Sequence, residues 1–371
     1  MLGQYNDSDP NVIAKHMEWF RRSNIGLLVT SWWGPNRLED TNTKDVIMEH
    51  EDIGNLKIAL HYETAGRLLG EGRDFNTAVS DIEYMCENYF DHPNYYKING
   101  RPVIFIYIAR RLAQLGTLET ALLSMRSAAA KCGQNIYLIG DQVFASAPDL
   151  GPDEPFIPFF YFDAVTNYDV YGSSGASTRP PGYAGTDGVD RYYKEQAQWR
   201  ELALSENCEY IPAVSPGYND RAVRLETNHS ALSRQLTSEA QEGSLFHYQL
   251  KQAKQLVDRR VDNMILVNSF NEWHEGKFGE PLLPYLCHPQ KIKLLCLNEM
   301  ISCCHSFIIA LVFLDTQIEP VLGIDTTAPE LYTQGLEYVG YGELYLNILG
   351  AATSKNESRH TEFDYLLESR I

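Results

Sequence analysis

The feature that most constrains this chain is an alternation. Short, continuously apolar stretches of strand length are separated by amphipathic stretches of helix length. Ile25 to Ser31, Leu56 to Glu63, Pro102 to Tyr107, Ile136 to Gly140, Asp163 to Tyr168, Glu209 to Val214 and Asn263 to Phe270 read as seven strands. Between them, apolar residues recur at helical spacing, as in Phe75, Ala78, Val79, Ile82, Met85, Cys86 and Tyr89. Leu118, Ala121, Leu122, Met125, Ala129 and Cys132 repeat the pattern, with Gly133 at the helix end. Phe246, Leu250, Ala253 and Val257 do so again. Strands that are apolar on both faces and joined through helices pair in parallel with right-handed crossovers. The chain opens on a helix: Asp9 caps it, Pro10 takes its first position, and Val12, Ile13, His16, Met17 and Phe20 form its stripe. The expected fold is therefore α/β, a (β/α)8 TIM-type barrel that lacks its first strand. Seven strands would leave two open edges, which closed barrels avoid. One barrel domain is expected over residues 1–350, followed by a tail over 351–371.

Composition excludes several roles. The 371 residues carry 49 acidic and 31 basic side chains, a formal net charge of −18, which disfavours nucleic acid and anionic membrane surfaces. No apolar run reaches the length of a membrane span; Phe307 to Leu314 comes nearest. No Gly-x-Gly-x-x-Gly follows a strand, which disfavours a nucleotide site. Seven cysteines cannot form a complete disulfide framework. Cys86, Cys132 and Cys208 are scattered, while Cys287, Cys296, Cys303 and Cys304 fall in one stretch, and buried free thiols are the expected reading. Cys303-Cys304-His305 lacks paired zinc-ligand spacing. No metal or cofactor is expected, and the chain is expected to be a monomer. The sequons at Asn6, Asn228 and Asn356 are compatible with a secretory route, but sequons arise easily by chance, so the compartment stays open.

In a parallel barrel the chemistry sits at the carboxyl ends of the strands. Those ends offer Trp32 and Trp33, His61 and Glu63, Tyr107, Asp141, Tyr168, Ser215 to Tyr218, and Asn271-Glu272-Trp273-His274-Glu275. Glu272 and Glu275 are three apart, so a helical turn there would aim both carboxylates one way. A carboxylate pair is the equipment of glycoside cleavage. A metal reading of His274-Glu275 with His61 and Glu63 has no pair at the H-E-x-x-H spacing to support it.

These motifs resemble glycoside hydrolase family 99, the endo-α-mannosidases, and its family-99-like relatives. The resemblance rests on Ser8 to Ile13 with His16-Met17, Ser31-Trp32-Trp33-Gly34-Pro35, and His61-Tyr62-Glu63. It continues through Phe162-Asp163-Ala164 up to Tyr168, Pro212 to Tyr218, and most specifically Ser269 to Glu275. It implies a retaining mechanism in which Glu272 acts as a base on the sugar's own 2-hydroxyl and a 1,2-anhydro sugar forms. Glu275 would protonate the leaving oxygen and later activate water. It implies a mannose-containing glycan as substrate, held by Trp32 or Trp33, His61, Glu63, Tyr168, Tyr218, Asn271 and His274. A Golgi or secreted location would follow from the same likeness. The alternatives are an inactive or sugar-binding relative, and a relative of polysaccharide assembly acting on another sugar.

Two departures stand out. The family's aromatic-rich first strand is missing. The 39 residues Gly276 to Leu314 also separate Glu275 from Asp315-Thr316-Gln317-Ile318-Glu319, which would otherwise continue the motif. This segment, rich in cysteine and apolar residues, reads as foreign to the barrel, as a translated intron would. It is expected to lie outside the barrel.

Overall fold

A computed structural model describes residues 6, 8–69, 75–141, 159–168, 170, 183–218, 231–237, 239–272, 277–278, 309–313 and 344–353. Helix α1 spans Pro10–Arg22, and the Asp9 side chain accepts a hydrogen bond from the Asn11 amide at its start. It buries Val12, Ile13, Met17, Trp19 and Phe20 and feeds strand β1, Ile25–Trp32. A short helix α2, Leu38–Thr41, continues into a wider turn over Asn42–Ile47. Then come β2 (Lys57–Tyr62), α3 (Asn76–Asn88), β3 (Arg101–Ile106), α4 (Leu118–Lys131), β4 (Tyr137–Gly140) and β5 (Ala164–Thr166). Helix α5, Thr186–Ser205, precedes β6, which runs as Glu209–Ile211 and resumes as Ala213–Val214. Pro212 marks the break, since proline has no amide to donate. Helix α6, Ser244–Lys254, leads to β7, Ile265–Val267.

Around the ring the pairing is parallel and returns on itself. β1 pairs with β2, β2 with β3, β3 with β4, and β4 with β5. The first half of β6 pairs with β5, and its second half pairs with β7. One gap would remain, between β7 and β1. It is filled by β8, Ile309–Phe313, parallel to both neighbours. Its register places Leu311 beside Leu28 on one side and Val267 on the other.

This corrects one expectation and completes another. Residues 309–313 do not lie outside the barrel; they are its eighth strand. The segment was expected outside because it interrupts a motif, yet its apolar run suits a strand buried on both sides. The open edges expected from seven strands are therefore closed. The remaining described residues of the segment, Lys277–Phe278, form a small antiparallel pair with Asn271–Glu272.

Helix α7, Leu344–Thr353, packs against α1 and α6. Tyr345 meets Phe246 of α6 edge-on at 5.5 Å, and its hydroxyl donates to Glu242 at 2.6 Å. Gly350 lies against the end of α1, where an added Cβ would come within 3.2 Å of the Arg22 carbonyl. No described helix is long and apolar enough to cross a membrane.

Candidate functional site at the barrel mouth

Alternation along a strand decides which side chains reach the interior. On β2, His61 points inward and Tyr62 outward, and Glu63, two residues beyond His61, points inward again. On β1, Ser31 is inward and Trp32 outward. The inward set meets. The Ser31 hydroxyl donates to Glu63 Oε1 at 2.7 Å, and His61 Nδ1 lies 3.3 Å from the same oxygen. His61 Nε2 lies 2.8 Å from Asp141 Oδ2, at the end of β4. All four side chains are essentially buried.

Backbone bonds fix these positions. The Glu63 amide donates to Trp32 O and the Asp141 amide to Ile106 O, each extending the sheet ladder one residue past the strand. Asp141 Oδ1 accepts from the Tyr168 amide at 2.6 Å, tying the end of β4 to the segment after β5. The Asn268 side-chain amide donates to the Tyr168 carbonyl and so links that segment to the end of β7. Tyr107 and Tyr168 flank His61, with ring centroids 4.9 and 6.0 Å away.

Both His61 nitrogens face carboxylates, which only accept, so the ring donates twice as an imidazolium. Burial disfavours that charge, but the hydrogen bonds to Asp141 and Glu63 outweigh it and raise the His61 pKa to about 9. His61 therefore adds stability that is complete below its ordinary value near 6.5 and lost as pH rises through about 9. A shift of that size corresponds to about 3 kcal/mol. The urea midpoint of the full chain should fall between pH 7 and pH 9.5. His61→Gln should flatten that slope; an unchanged slope would remove the charged imidazole from the account.

The outward set forms a separate layer. Trp32 is fully buried between sheet and helices. Its indole N–H donates to Asp40 Oδ1 at 2.8 Å, and its ring stacks on Tyr62 at 5.7 Å. Asp40 also accepts from Tyr84 and Tyr89, both at 2.6 Å. Tyr62 donates to Asp81, which is paired with Arg67 at 2.5 Å. A sugar-binding wall at Trp32 is thus corrected: the pleat turns this ring away from the mouth. Trp33 is 39% exposed and lies against Gly66, where an added Cβ would sit 2.6 Å from the ring. Trp32→Phe should cost about 2 kcal/mol of stability, because Asp40 loses a buried donor, and should leave glycan affinity unchanged. Weaker binding at full stability would return Trp32 to the site.

Tyr218 is buried, and its backbone pairs with Leu232. Phe270 wedges edge-on against Phe20 at 4.8 Å and His16 at 5.0 Å on α1, which fixes where the next residues leave β7. Asn271 and Glu272 then run extended, paired antiparallel with Phe278 and Lys277. His274 and Glu275 lie outside the described residues. Asp141 is the member of this hydrogen-bonded cluster that sequence reasoning placed at a strand end without assigning it a role. Its signal was a lone carboxylate directly after an apolar strand. Among the described residues, no group of three or more His, Cys, Asp or Glu could hold a metal ion.

A closed parallel barrel with a buried histidine, carboxylates and tyrosines at its mouth defines the class: a (β/α)8 protein whose site sits at the carboxyl ends of its strands. Comparison then gives the family. The family model of glycosyl hydrolase family 99 matches residues 1–129, and that of glycosyltransferase WbsX matches residues 67–287. The chain is 27% identical over 296 residues to a mouse glycoprotein endo-alpha-1,2-mannosidase, covering 76% of this chain and 56% of that protein. The mouse endo-alpha-1,2-mannosidase-like protein is 26% identical over 304 residues, covering 76% of this chain and 57% of its own length. The solved GH99 endo-alpha-mannosidase of Bacteroides thetaiotaomicron superimposes with a TM-score of 0.53 at 25% identity, over 77% of this chain and 78% of that one. The WbsX model covers more than half of the chain, so this chain belongs to that family, and it is similar to glycosyl hydrolase family 99 over residues 1–129; it spans about half the length of the curated relatives it matches.

Proposed function

We propose that this chain is a retaining glycoside hydrolase that cleaves internal α-mannosidic linkages at the mouth of its barrel. The observation that carries the reading is the Ser31–Glu63–His61–Asp141 chain beside Tyr107 and Tyr168. It offers charged and hydroxyl groups, fixed in advance, to a hydroxyl-rich ligand. The Asn271–Glu272 pair begins four residues beyond the end of β7. In this reading Glu63, His61 and Tyr168 bind sugar hydroxyls, and Trp33 supplies an apolar face for ring C–H groups. Asn271, His274 and Tyr218 complete the surroundings.

Glu272 would take the proton of the sugar's 2-hydroxyl, so that its oxygen attacks the anomeric carbon from within the same ring. Glu275 would give its proton to the leaving oxygen. It would then take a proton from water as the 1,2-anhydro ring opens. Two inversions give net retention. Hydrolysis of an α-1,2-linked mannosaccharide followed by proton NMR tests this: the first product formed should be the α-anomer. First appearance of the β-anomer would reject the retaining course.

A second reading is favoured by the WbsX match, which covers more of the chain than the hydrolase match. A relative of polysaccharide assembly would use the same mouth on another sugar. Cleavage of a non-mannose glycan, with mannosides untouched, would select it.

A further inference from the structure

Strand β5 leaves the sheet early. Its last pair with β6 is Thr166 beside Ile211, and beyond that point β6 turns to β7, with Ala213 beside Leu266 and Val214 beside Val267. The Ala213 carbonyl accepts from the Tyr193 hydroxyl of α5 at 2.9 Å. Tyr168 therefore stands past the end of its ladder, yet its ring centroid lies 6.0 Å from that of His61. Side chains hold its backbone instead. The Tyr168 amide donates to Asp141 Oδ1 at 2.6 Å. Its carbonyl accepts from the Asn268 side-chain amide, and locally from the Val170 amide at 3.0 Å. Asp141 follows β4 and Asn268 follows β7, so the two anchors come from strands on opposite sides of β5.

Asn268 is fully buried, and its Oδ1 has no partner among the described residues. Its backbone amide donates to the Val214 carbonyl at 3.0 Å, so the sheet fixes the backbone and the side chain keeps one polar contact, the Tyr168 carbonyl. Burying an amide with its acceptor unmet costs stability that a valine in this place would not. Such departures from the most stable choice collect at functional sites.

We propose that Asn268 is a positioning residue of the mouth: it holds Tyr168 beside His61 and so sets where Tyr168 meets a sugar hydroxyl. The inference rests on the sugar-binding role given to Tyr168 above. It requires a donor at this place, since a carboxylate only accepts and would face the carbonyl with like polarity.

The test is a double-mutant cycle on the full chain with an α-1,2-linked mannosaccharide. Asn268→Asp keeps the shape and removes the donor. Asn268→Ala removes it without burying a charge, and takes its place should the aspartate variant not fold. The Asn268 variant should lower kcat/KM about tenfold, as should Tyr168→Phe. The double variant should lose about tenfold in all, because a phenyl ring has no hydroxyl left to position. The unliganded crystal structure of the Asn268 variant should show the Tyr168 ring displaced from His61. Losses that multiply to about a hundredfold would overturn the proposal, because a merely structural Asn268 costs the same in both backgrounds. An unmoved Tyr168 ring would overturn it as well. A wild-type chain inert on the mannosaccharide would reject the proposed function instead, and the position of Tyr168 then decides by itself whether Asn268 places it.

Discussion

A full chain carrying Leu311→Pro is expected to lose about 3 kcal/mol of stability or more. The reason lies in the place of β8. It pairs with β1 over Ile309 to Phe313 and with β7 over Ile309 to Val267's partner Leu311, so Leu311 has a neighbouring strand on each side. Proline removes the backbone donor and forces its ring into a ladder that has no free edge to absorb it. Barrel domains of this kind hold only about 5–15 kcal/mol in total, so the loss should be plain in a urea titration followed by tryptophan fluorescence. Trp19 on α1 and Trp32 at the end of β1 are both buried and report on this region. An unchanged midpoint would mean that residues 309–313 are not a strand of the ring in solution.

Replacing Glu275 with glutamine should lower turnover on an alkyl-type α-mannoside about a thousandfold, since a poor leaving group needs its proton supplied. With an activated aryl leaving group the loss should be much smaller, because that oxygen departs without help. Glu272→Gln should lower turnover by a similar factor on both substrates, because loss of the base affects attack and not departure. The contrast between the two variants separates the roles. Equal losses for Glu275→Gln on both substrates would remove the acid assignment, and near-full activity in either variant would remove the pair.

Much of the barrel was legible because its signals are local. Asp9-Pro10 announces α1 through cap chemistry that needs no tertiary context. The apolar runs announce β1 to β7 within a residue or two at most ends. β5 and β7 came out shorter than their runs, although the Asn268 amide still donates to the Val214 carbonyl one residue past β7. His61 and Glu63 were legible as a pair because residues two apart on a strand share a face.

The same rule, applied to Ser31 and Trp32, would have sent Trp32 outward; the appeal of an aromatic wall outweighed the pleat. β8 was hidden for another reason. Phe307 to Leu314 has no helical stripe and suits a strand, but no local signal says that the slot between β1 and β7 is vacant. Asp141's partners come from β2 and from the segment after β5, so its place is not written at one point in the chain.

The most direct measurement is a crystal structure of the full-length Glu275→Gln chain soaked with an α-1,2-linked mannosaccharide. The account predicts a sugar ring at the carboxyl end of the barrel, with hydroxyls within hydrogen-bonding distance of Glu63 and His61 and with Tyr168 beside it. A saccharide bound elsewhere on the molecule, or a mouth left empty at millimolar ligand, would contradict it.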